Sequence, residues 1–450
     1  MAIGGYRVYV SAFELYRIGP GPSSSYTVGP QRAALRFVHD LEADGLIAQV
    51  ARVEAQLYGG LAFHGRAHAS DRAIVAGLAG LLPERCDAAS LASCTSRAEA
   101  DRALALGGRH AVRFDPSRDL RTIVDHSLAN DGNAVRFLAR NLRGDVVASR
   151  LYFSTGGGGV LAEGDAAEGA WMPRVPYPFG SATELLAACA AHGKRICDLV
   201  RANECALFSP GEVRAGLLAA AQAMRSAVER GLTTEGKLPG GRRRTAPSWA
   251  DGMRAQGAPP AQMCAVYATA MAEENALGGR VVAAPSAGSA GPVAALLQLW
   301  RDSAPVQKDD HAIDFLLAGA AVGGLLRASG VRNVGCQGEV GVASAMAAAG
   351  LASVHNGSNA QVLHAAERAL EPHLGLACDP AGARIEDPCI ERNAQAAVRG
   401  YHAAMAAIRL PSPRVGLDVL ARSLVASGRT MSARYKSASI GGLAVNVAEC

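Results

Sequence analysis

Ten cysteines are spread over this 450-residue chain, and three of them have unusual neighbours. Cys336 lies in Val334-Gly335-Cys336-Gln337-Gly338-Glu339-Val340-Gly341, Cys378 in Cys378-Asp379-Pro380, and Cys389 in Pro388-Cys389-Ile390-Glu391-Arg392-Asn393. Each sits within two residues of Gly or Pro, which let a backbone turn sharply and come close to an inorganic core. Thiolate is the ligand that Fe–S clusters and zinc take from protein. There is no C-x-x-C pair, and scattered cysteines in a reducing compartment are commonly inert small hydrophobes. Spacing alone therefore leaves the trio open between ligands and core packing. The final residue, Cys450, follows an apolar run from Gly441 to Val447 that is unlike a dangling tail. Cys86, Cys94, Cys189, Cys197, Cys205 and Cys264 lie in Ala/Leu-rich, helix-like surroundings, and core packing is expected for all six.

Other side chains could move protons or hold a small anion. His68, in His64-Gly65-Arg66-Ala67-His68-Ala69-Ser70-Asp71-Arg72, is flanked by small residues and titrates where a general base is useful, although a lone loop histidine is often structural. Ser23, Ser24, Ser25 and Thr27, with Tyr26 among them, offer hydroxyls and N–H groups to a carboxylate, or else a helix-capping loop before Arg32. Pyridoxal phosphate needs a Schiff-base lysine and a phosphate-binding turn, and only Lys237 and Lys436 lie near glycine pairs, so that cofactor is not expected. The run Gly156-Gly157-Gly158-Gly159 lacks the Lys-Ser/Thr of a P-loop and reads as a turn.

These residues must be carried by at least two domains. Up to about residue 161, short β-like runs (Tyr6 to Val10, Val50 to Tyr58, Ala111 to Phe114, Asn133 to Arg140, Asp145 to Phe153) alternate with helical segments such as Gln31 to Asp44 and Asp71 to Leu82. This predicts an α+β domain with a mostly antiparallel sheet over 1–161. A Gly/Pro-rich linker is expected over 162–182. From 183 to 450 the Ala/Leu-rich pattern has helical period, broken by Gly and Pro, which predicts an all-α domain. Its expected helices include Thr183 to Glu204, Pro210 to Arg230, Pro260 to Asn275, Gly341 to Ala352, Asn359 to His373 and Asn393 to Ile408.

Bulk properties narrow the function class. Apolar residues make up 49% and charged residues 19% of the chain, with a formal charge of +5, as in ordinary globular proteins. The one dense basic run, Arg242-Arg243-Arg244, has no interleaved aromatics, so a solvated loop is expected and nucleic-acid binding is not. No signal peptide opens the chain, and the most apolar stretch, Phe315 to Leu326, is too short for a span and reads as a buried helix. A cytoplasmic protein without membrane attachment is expected.

The cysteine segments, together with Gly19-Pro20-Gly21-Pro22-Ser23-Ser24-Ser25-Tyr26-Thr27-Val28-Gly29-Pro30 and Gly441-Gly442-Leu443-Ala444-Val445-Asn446-Val447-Ala448-Glu449-Cys450, closely resemble the bacterial iron–sulfur L-serine dehydratases. The likeness runs in order from near Tyr9 to the last residue. It implies a smaller N-terminal α+β, ACT-like domain, a helical catalytic domain and a homodimer. It implies a carbon–oxygen lyase of the L-serine ammonia-lyase type, acting on a small amino acid. It also implies a [4Fe–4S] cluster held by Cys336, Cys378 and Cys389, whose open iron Cys450 occupies until substrate displaces it.

By the same resemblance His68 transfers a proton or positions substrate, and Lys237 contacts the carboxylate or is structural. Ser23, Ser24, Ser25, Tyr26, Thr27, Asp71, Asn133, Ser286 and Gly288 lie against substrate, although Asp71 and Arg72 also fit a helix start and an ion-pair partner. Asn203-Glu204 and Glu273-Glu274-Asn275 would line the pocket. The chain departs from the family at Tyr26 and Asp131 (both usually His), Ala287 (Asn), Asn333 (Glu) and Ser437-Ala438 (Glu-Thr). That leaves three readings: serine dehydration, the same elimination on another β-hydroxy or β-substituted amino acid in a specialised pathway, or a non-catalytic homologue.

Overall fold

The computed structural model of the protein describes residues 9–123, 133–165, 174–304, 309–331, 334–411, 415–436 and 441–447. Asp131, Asn333, Ser437, Ala438, Cys450 and most of the strand expected at Tyr6 to Val10 lie outside these residues. The chain forms two units. One comprises Ile18–Glu168 and Asn275–Ala287, and the other the described residues of Met1–Arg17, Gly169–Glu274 and Gly288–Cys450.

Among the described residues the first unit contains nine strands: β1 (Ile18–Pro20), β2 (Arg52–Tyr58), β3 (Ala103–Leu106), β4 (His110–Arg113), β5 (Leu120–Thr122), β6 (Asn133–Arg140), β7 (Val146–Ser154), β8 (Val160–Ala162) and β9 (Arg280–Val282). The main sheet runs β3-β4-β2-β6-β7-β8, with β5 beside β2. Its pairs are antiparallel except for β2 with β4 and with β5. In β2 and β6 the residues Val53, Ala55, Leu57, Val135, Phe137 and Ala139 enter one buried core with Phe37, Ile74 and Tyr152. Phe37 stacks on Phe137 with centroids 5.0 Å apart. The helices Gly29–Ala43 and Ser70–Leu78 contribute Phe37 and Ile74. Pro30 sits in the first turn of the former, and Gly45 (φ +70°) follows its end, as their types dictate. The glycine run closes the β7–β8 hairpin, where Thr155 N–H donates to the Gly159 carbonyl at 3.0 Å.

The second unit is helical. At its centre lies Val340–Val354, whose residues 340–352 are all buried. It packs on Gly291–Ser303, Asp309–Ala328, Asn359–Leu370 and Cys389–Arg409. A helix apolar on every side has to be enclosed, and the alanines and glycines here let neighbours come close. Asp309–Ala328 is long and apolar enough by composition to cross a membrane, yet it is buried within the unit as a core helix.

The structure departs from the sequence reading in several places. The helix expected over Thr183 to Glu204 is two, Ala182–His192 and Ile196–Cys205, separated at Gly193 with φ +57°. Ala88–Asp101, Ala246–Ala255 and Leu417–Thr430 are helices that the sequence reading did not single out. The stretch Asn275–Ala287 is not part of the helical unit, because β9 pairs antiparallel with β1. Gly21 comes so close to the Asn275 backbone that any side chain there would collide.

Candidate functional site

In the helical unit three separate segments bring the cysteines together. Gly335, at φ +80°, turns the chain into the short helical turn Cys336–Gly338. A Cβ at Gly335 would meet the Leu376 carbonyl at 2.8 Å, and that carbonyl accepts the Gln337 N–H at 3.1 Å. Buried Gln337 locks the pairing by accepting from Gly375 N–H and from the Ser427 hydroxyl, both at 2.9 Å. Cys378 N–H donates to the Tyr435 carbonyl at 2.7 Å. Cys389 is the first residue of the helix Cys389–Arg409, where the helix dipole favours a thiolate.

The electrostatics follow from this convergence. A hydrogen bond from Cys378 pulls the Cys336 thiol below its ordinary range, and the same bond, with burial, pushes Cys378 well above it. Burial and then the charge on Cys336 push Cys389 up. Burial and the neighbouring thiolate thus both disfavour ionisation of Cys378 and Cys389, and a cation bound among the three would favour the thiolate form of each. Arg392, one helical turn after Cys389, donates to Cys336 Sγ at 3.5 Å, to the Ala377 carbonyl at 2.8 Å and to Asp379 Oδ1 at 2.9 Å. Asp379 Oδ2 accepts the Leu443 N–H at 3.0 Å. That carboxylate is thus engaged, and the three thiols, with the Glu339 carboxylate near enough to act on each of them, make a sulfur-rich donor set that suits iron–sulfur chemistry or another thiophilic metal.

Neighbouring segments are fastened to the same loops. Asn393 donates to the carbonyls of Gly288 and Cys389, both at 2.8 Å, and accepts Gly291 N–H at 3.0 Å. The loop bearing Lys237 is tied on by Gly240 N–H donating to buried Glu386 at 2.8 Å and by an Arg242–Asp387 ion pair at 3.1 Å. Lys237 itself is exposed. Cys450 lies outside the described residues, whose last element, Leu443–Asn446, is the segment held by Asp379.

In the sheet unit the Ser23–Thr27 segment wraps around His68. Ser23 Oγ accepts the Tyr26 N–H at 3.4 Å, and Ser24 Oγ accepts the Ala287 N–H at 3.4 Å. The Ser25 carbonyl accepts from Ser154 at 2.8 Å. Thr27, fully buried, donates its hydroxyl to the His68 carbonyl at 2.9 Å, and Ser70 donates to the Tyr26 carbonyl. The Tyr26 and His68 rings lie 4.8 Å apart. His68 is 6% exposed, and its Nδ1 is buried with no hydrogen-bond partner among the described residues. Burial first, and His64 second, lower its pKa to about 4, so the ring is neutral at physiological pH. Asn133 opens β6, and its Oδ1 and the Tyr26 hydroxyl each lie 2.5 Å from where a Cβ on Gly60 would stand. Ser286 is half-buried, and Asp71, in the first turn of Ser70–Leu78, accepts the Arg72 N–H at 2.9 Å.

Several polar residues expected to line a pocket are structural instead. Glu204 accepts from the Tyr9 hydroxyl at 2.6 Å, the Ser11 hydroxyl at 2.7 Å and the Ala12 N–H at 2.9 Å, which anchors the first described residues. Asn203 pairs with both backbone groups of Tyr177. Glu273 takes Thr245 N–H at 2.7 Å and a buried ion pair with Arg244 at 3.3 Å, and Glu274 pairs with Arg230 at 2.7 Å. Arg244 is therefore a core residue and not part of a solvated loop. Asn275 donates to the Pro22 carbonyl at 2.8 Å.

Arg392, Asn393, Asp379 and Glu386 had no assigned role in the sequence reading. The first two carried a signal, since positions three and four after a helix-opening cysteine lie over its first turn.

A second group, Cys197, Asp198 and Asp314, brings its ligand atoms within 4.8 Å of one another. Arg195 contacts Asp198 at 2.8 Å and Asp314 at 3.0 Å, and Arg201 contacts Asp314 at 2.5 Å. Burial pushes the Cys197 thiol up to about 11. Two guanidinium groups already neutralise these carboxylates, so a metal would have to displace them.

Both halves of the chain match known protein families. The serine dehydratase beta chain family matches residues 11–165, and the serine dehydratase alpha chain family matches residues 191–444. An L-serine dehydratase of Streptomyces coelicolor is 39% identical over 457 residues, covering 98% of this chain and 100% of that protein. L-serine dehydratase 2 of Escherichia coli is 40% identical over 456 residues, with 98% and 100% coverage. An L-serine dehydratase of Mycobacterium tuberculosis is 39% identical over 455 residues, covering 98% of each. With both halves matched in order and relatives aligned over nearly their full length, the chain belongs to the bacterial single-chain L-serine dehydratase family.

Proposed function

We propose that the protein is an L-serine ammonia-lyase that converts L-serine to pyruvate and ammonia with a [4Fe–4S] cluster and without pyridoxal phosphate. The observation that carries this reading is the convergence of Cys336, Cys378 and Cys389 beside Arg392, three thiols from separate segments that act on one another. These three cysteines would hold the cluster, with Cys450 as a further, displaceable ligand. When bound, the cluster would supply a Lewis acid that eases departure of hydroxide, whose conjugate acid otherwise has a pKa near 15.7.

The remaining work falls to the chain. Elimination breaks the Cα–H and Cβ–O bonds of serine, and the resulting aminoacrylate tautomerises to an imine and hydrolyses to pyruvate and ammonia. His68, neutral above about pH 4, would take the Cα proton on its bare Nδ1. Hydroxyls of the Ser23–Thr27 segment and Ser286, with Tyr26, Asn133 and Gly288, would orient the amino acid, and Lys237 would attract its carboxylate. Asp71 would act at the edge of this set. Arg392 would balance the negative charge of the sulfur ligands. The chain would act in the cytoplasm as a homodimer.

A second reading, the same elimination on another β-hydroxy or β-substituted amino acid, is favoured by Ala287. It is 4% exposed, its N–H is already given to Ser24 Oγ, and its side chain is only a methyl group where the family usually has Asn. Anaerobic purification tests the first reading: brown protein with about four irons per chain is expected, with pyruvate released from serine. Colourless, iron-free protein with full activity would overturn it. A panel of amino acids under the same conditions separates the two substrates.

A further inference from the structure

We propose that Tyr26 is the positioning residue for His68: its ring, laid against the imidazole, keeps that side chain dry and in place so that Nδ1 stays bare for an incoming ligand. This rests on the reading of His68 as the proton acceptor.

Tyr26 is held at several points. Its N–H donates to Ser23 Oγ at 3.4 Å, and its carbonyl accepts the Ser70 hydroxyl. The residue that follows it, Thr27, donates to the carbonyl of His68 at 2.9 Å, so the two backbones are tied together while the two rings lie 4.8 Å apart. At its far end the Tyr26 hydroxyl shares the space over Gly60 with Asn133 Oδ1, because an added methyl there would stand 2.5 Å from each oxygen. The hydroxyl end of the ring thus already occupies the space over Gly60, and a methyl group there would have to push it aside.

His68 is 6% exposed, and its Nδ1 has no hydrogen-bond partner among the described residues. A buried polar atom left unsatisfied is costly, and an arrangement built to keep it so points to a ligand that completes it. The ionisable groups on the elements around His68 are Tyr26, His64, Arg66, Asp71 and Arg72. Of these, His64 alone acts on it electrostatically, in the same direction as burial. What keeps His68 neutral is therefore chiefly exclusion of water, and the Tyr26 ring is one wall of that enclosure.

The test is the titration of His68 in the full-length protein, followed by NMR of histidine labelled at the ring carbon and assigned with His68→Gln. In the wild type this resonance should not titrate between about pH 5 and 8. Tyr26→Ala should bring its pKa up by about two units, towards 6.5, and should move the acid limb of kcat/KM up with it. Tyr26→Phe, which restores the ring, should return the titration to the wild-type position. Gly60→Ala, which displaces the ring without removing it, should also raise the pKa.

A Tyr26→Ala protein whose His68 still fails to titrate, or a Tyr26→Phe protein that titrates like Tyr26→Ala, overturns the proposal. If Tyr26→Ala does not fold, Gly60→Ala decides alone, by the same criterion. A pKa that rises while the kcat/KM limb stays fixed upholds the hold of Tyr26 on His68 and overturns instead the assignment of His68 as proton acceptor.

Discussion

The two units each bury a histidine and hold its pKa down to about 4, yet they use it differently. In the helical unit, burial lowers His373, but its Nδ1 pairs with the Ala369 carbonyl at 2.8 Å, so the ring is a finished structural part. In the sheet unit, His68 is equally dry and its Nδ1 has no partner among the described residues. The helical unit gathers thiols that act on one another through charge, with Arg392 in contact. The sheet unit holds a neutral imidazole with almost no charge acting on it. The contrast shows that burial by itself does not mark a functional group: the unsatisfied atom, or the group of like donors that act on one another, does.

This contrast can be broken by separating what each unit contributes. The largest effect is expected from Cys378→Ala, which should lose iron and reduce pyruvate formation by more than about a thousandfold, measured by iron content and turnover. His68→Gln should lower kcat by about 10²- to 10⁴-fold while iron content is unchanged. Equal iron loss in both variants would erase the division of labour.

Arg244→Leu leaves Glu273 buried beside an empty place and should cost the helical unit about 3–5 kcal/mol, read from denaturant unfolding. Next come the histidines themselves. Each has a folded pKa below its unfolded value of about 6.5, so the unfolded chain takes up the proton first. Stability should fall as pH drops from about 6.5 towards 4, by on the order of 3 kcal/mol per histidine at most. His68→Gln and His373→Gln should each flatten that slope, and only the second should leave kcat near wild type. The smallest effect is expected at the partly exposed Arg36–Asp165 pair of the sheet unit, where Arg36→Ala should cost less than about 1 kcal/mol.

Much of this architecture was legible from local pattern. The strand Asn133–Arg140 was anticipated to the residue, and the helix after Cys389 was anticipated from Asn393 onwards, because alternation and helical period are written into consecutive residues. The break at Gly193 was missed, although glycine readily takes the left-handed conformation that ends a helix. Strands β1 and β9 were not legible: each has three residues, and each finds its only partner far away in the chain. Glu204, Glu273 and Arg244 were misread for the same reason, because a charged residue looks alike in sequence whether it faces a ligand, solvent or a polar partner far away in the chain.

The sequence by itself determined which ligand types are present, where helices and strands begin and end within a few residues, and which glycines and prolines free the loops around the cysteines. These are properties of a residue and its near neighbours. Only the tertiary structure decided that Cys336, Cys378 and Cys389 meet, that Arg392 reaches the first of them, and that His68 is neutral with a bare nitrogen while His373 is satisfied. Those outcomes depend on distance through space and on exclusion of water, and neither is encoded in the order of residues along the chain.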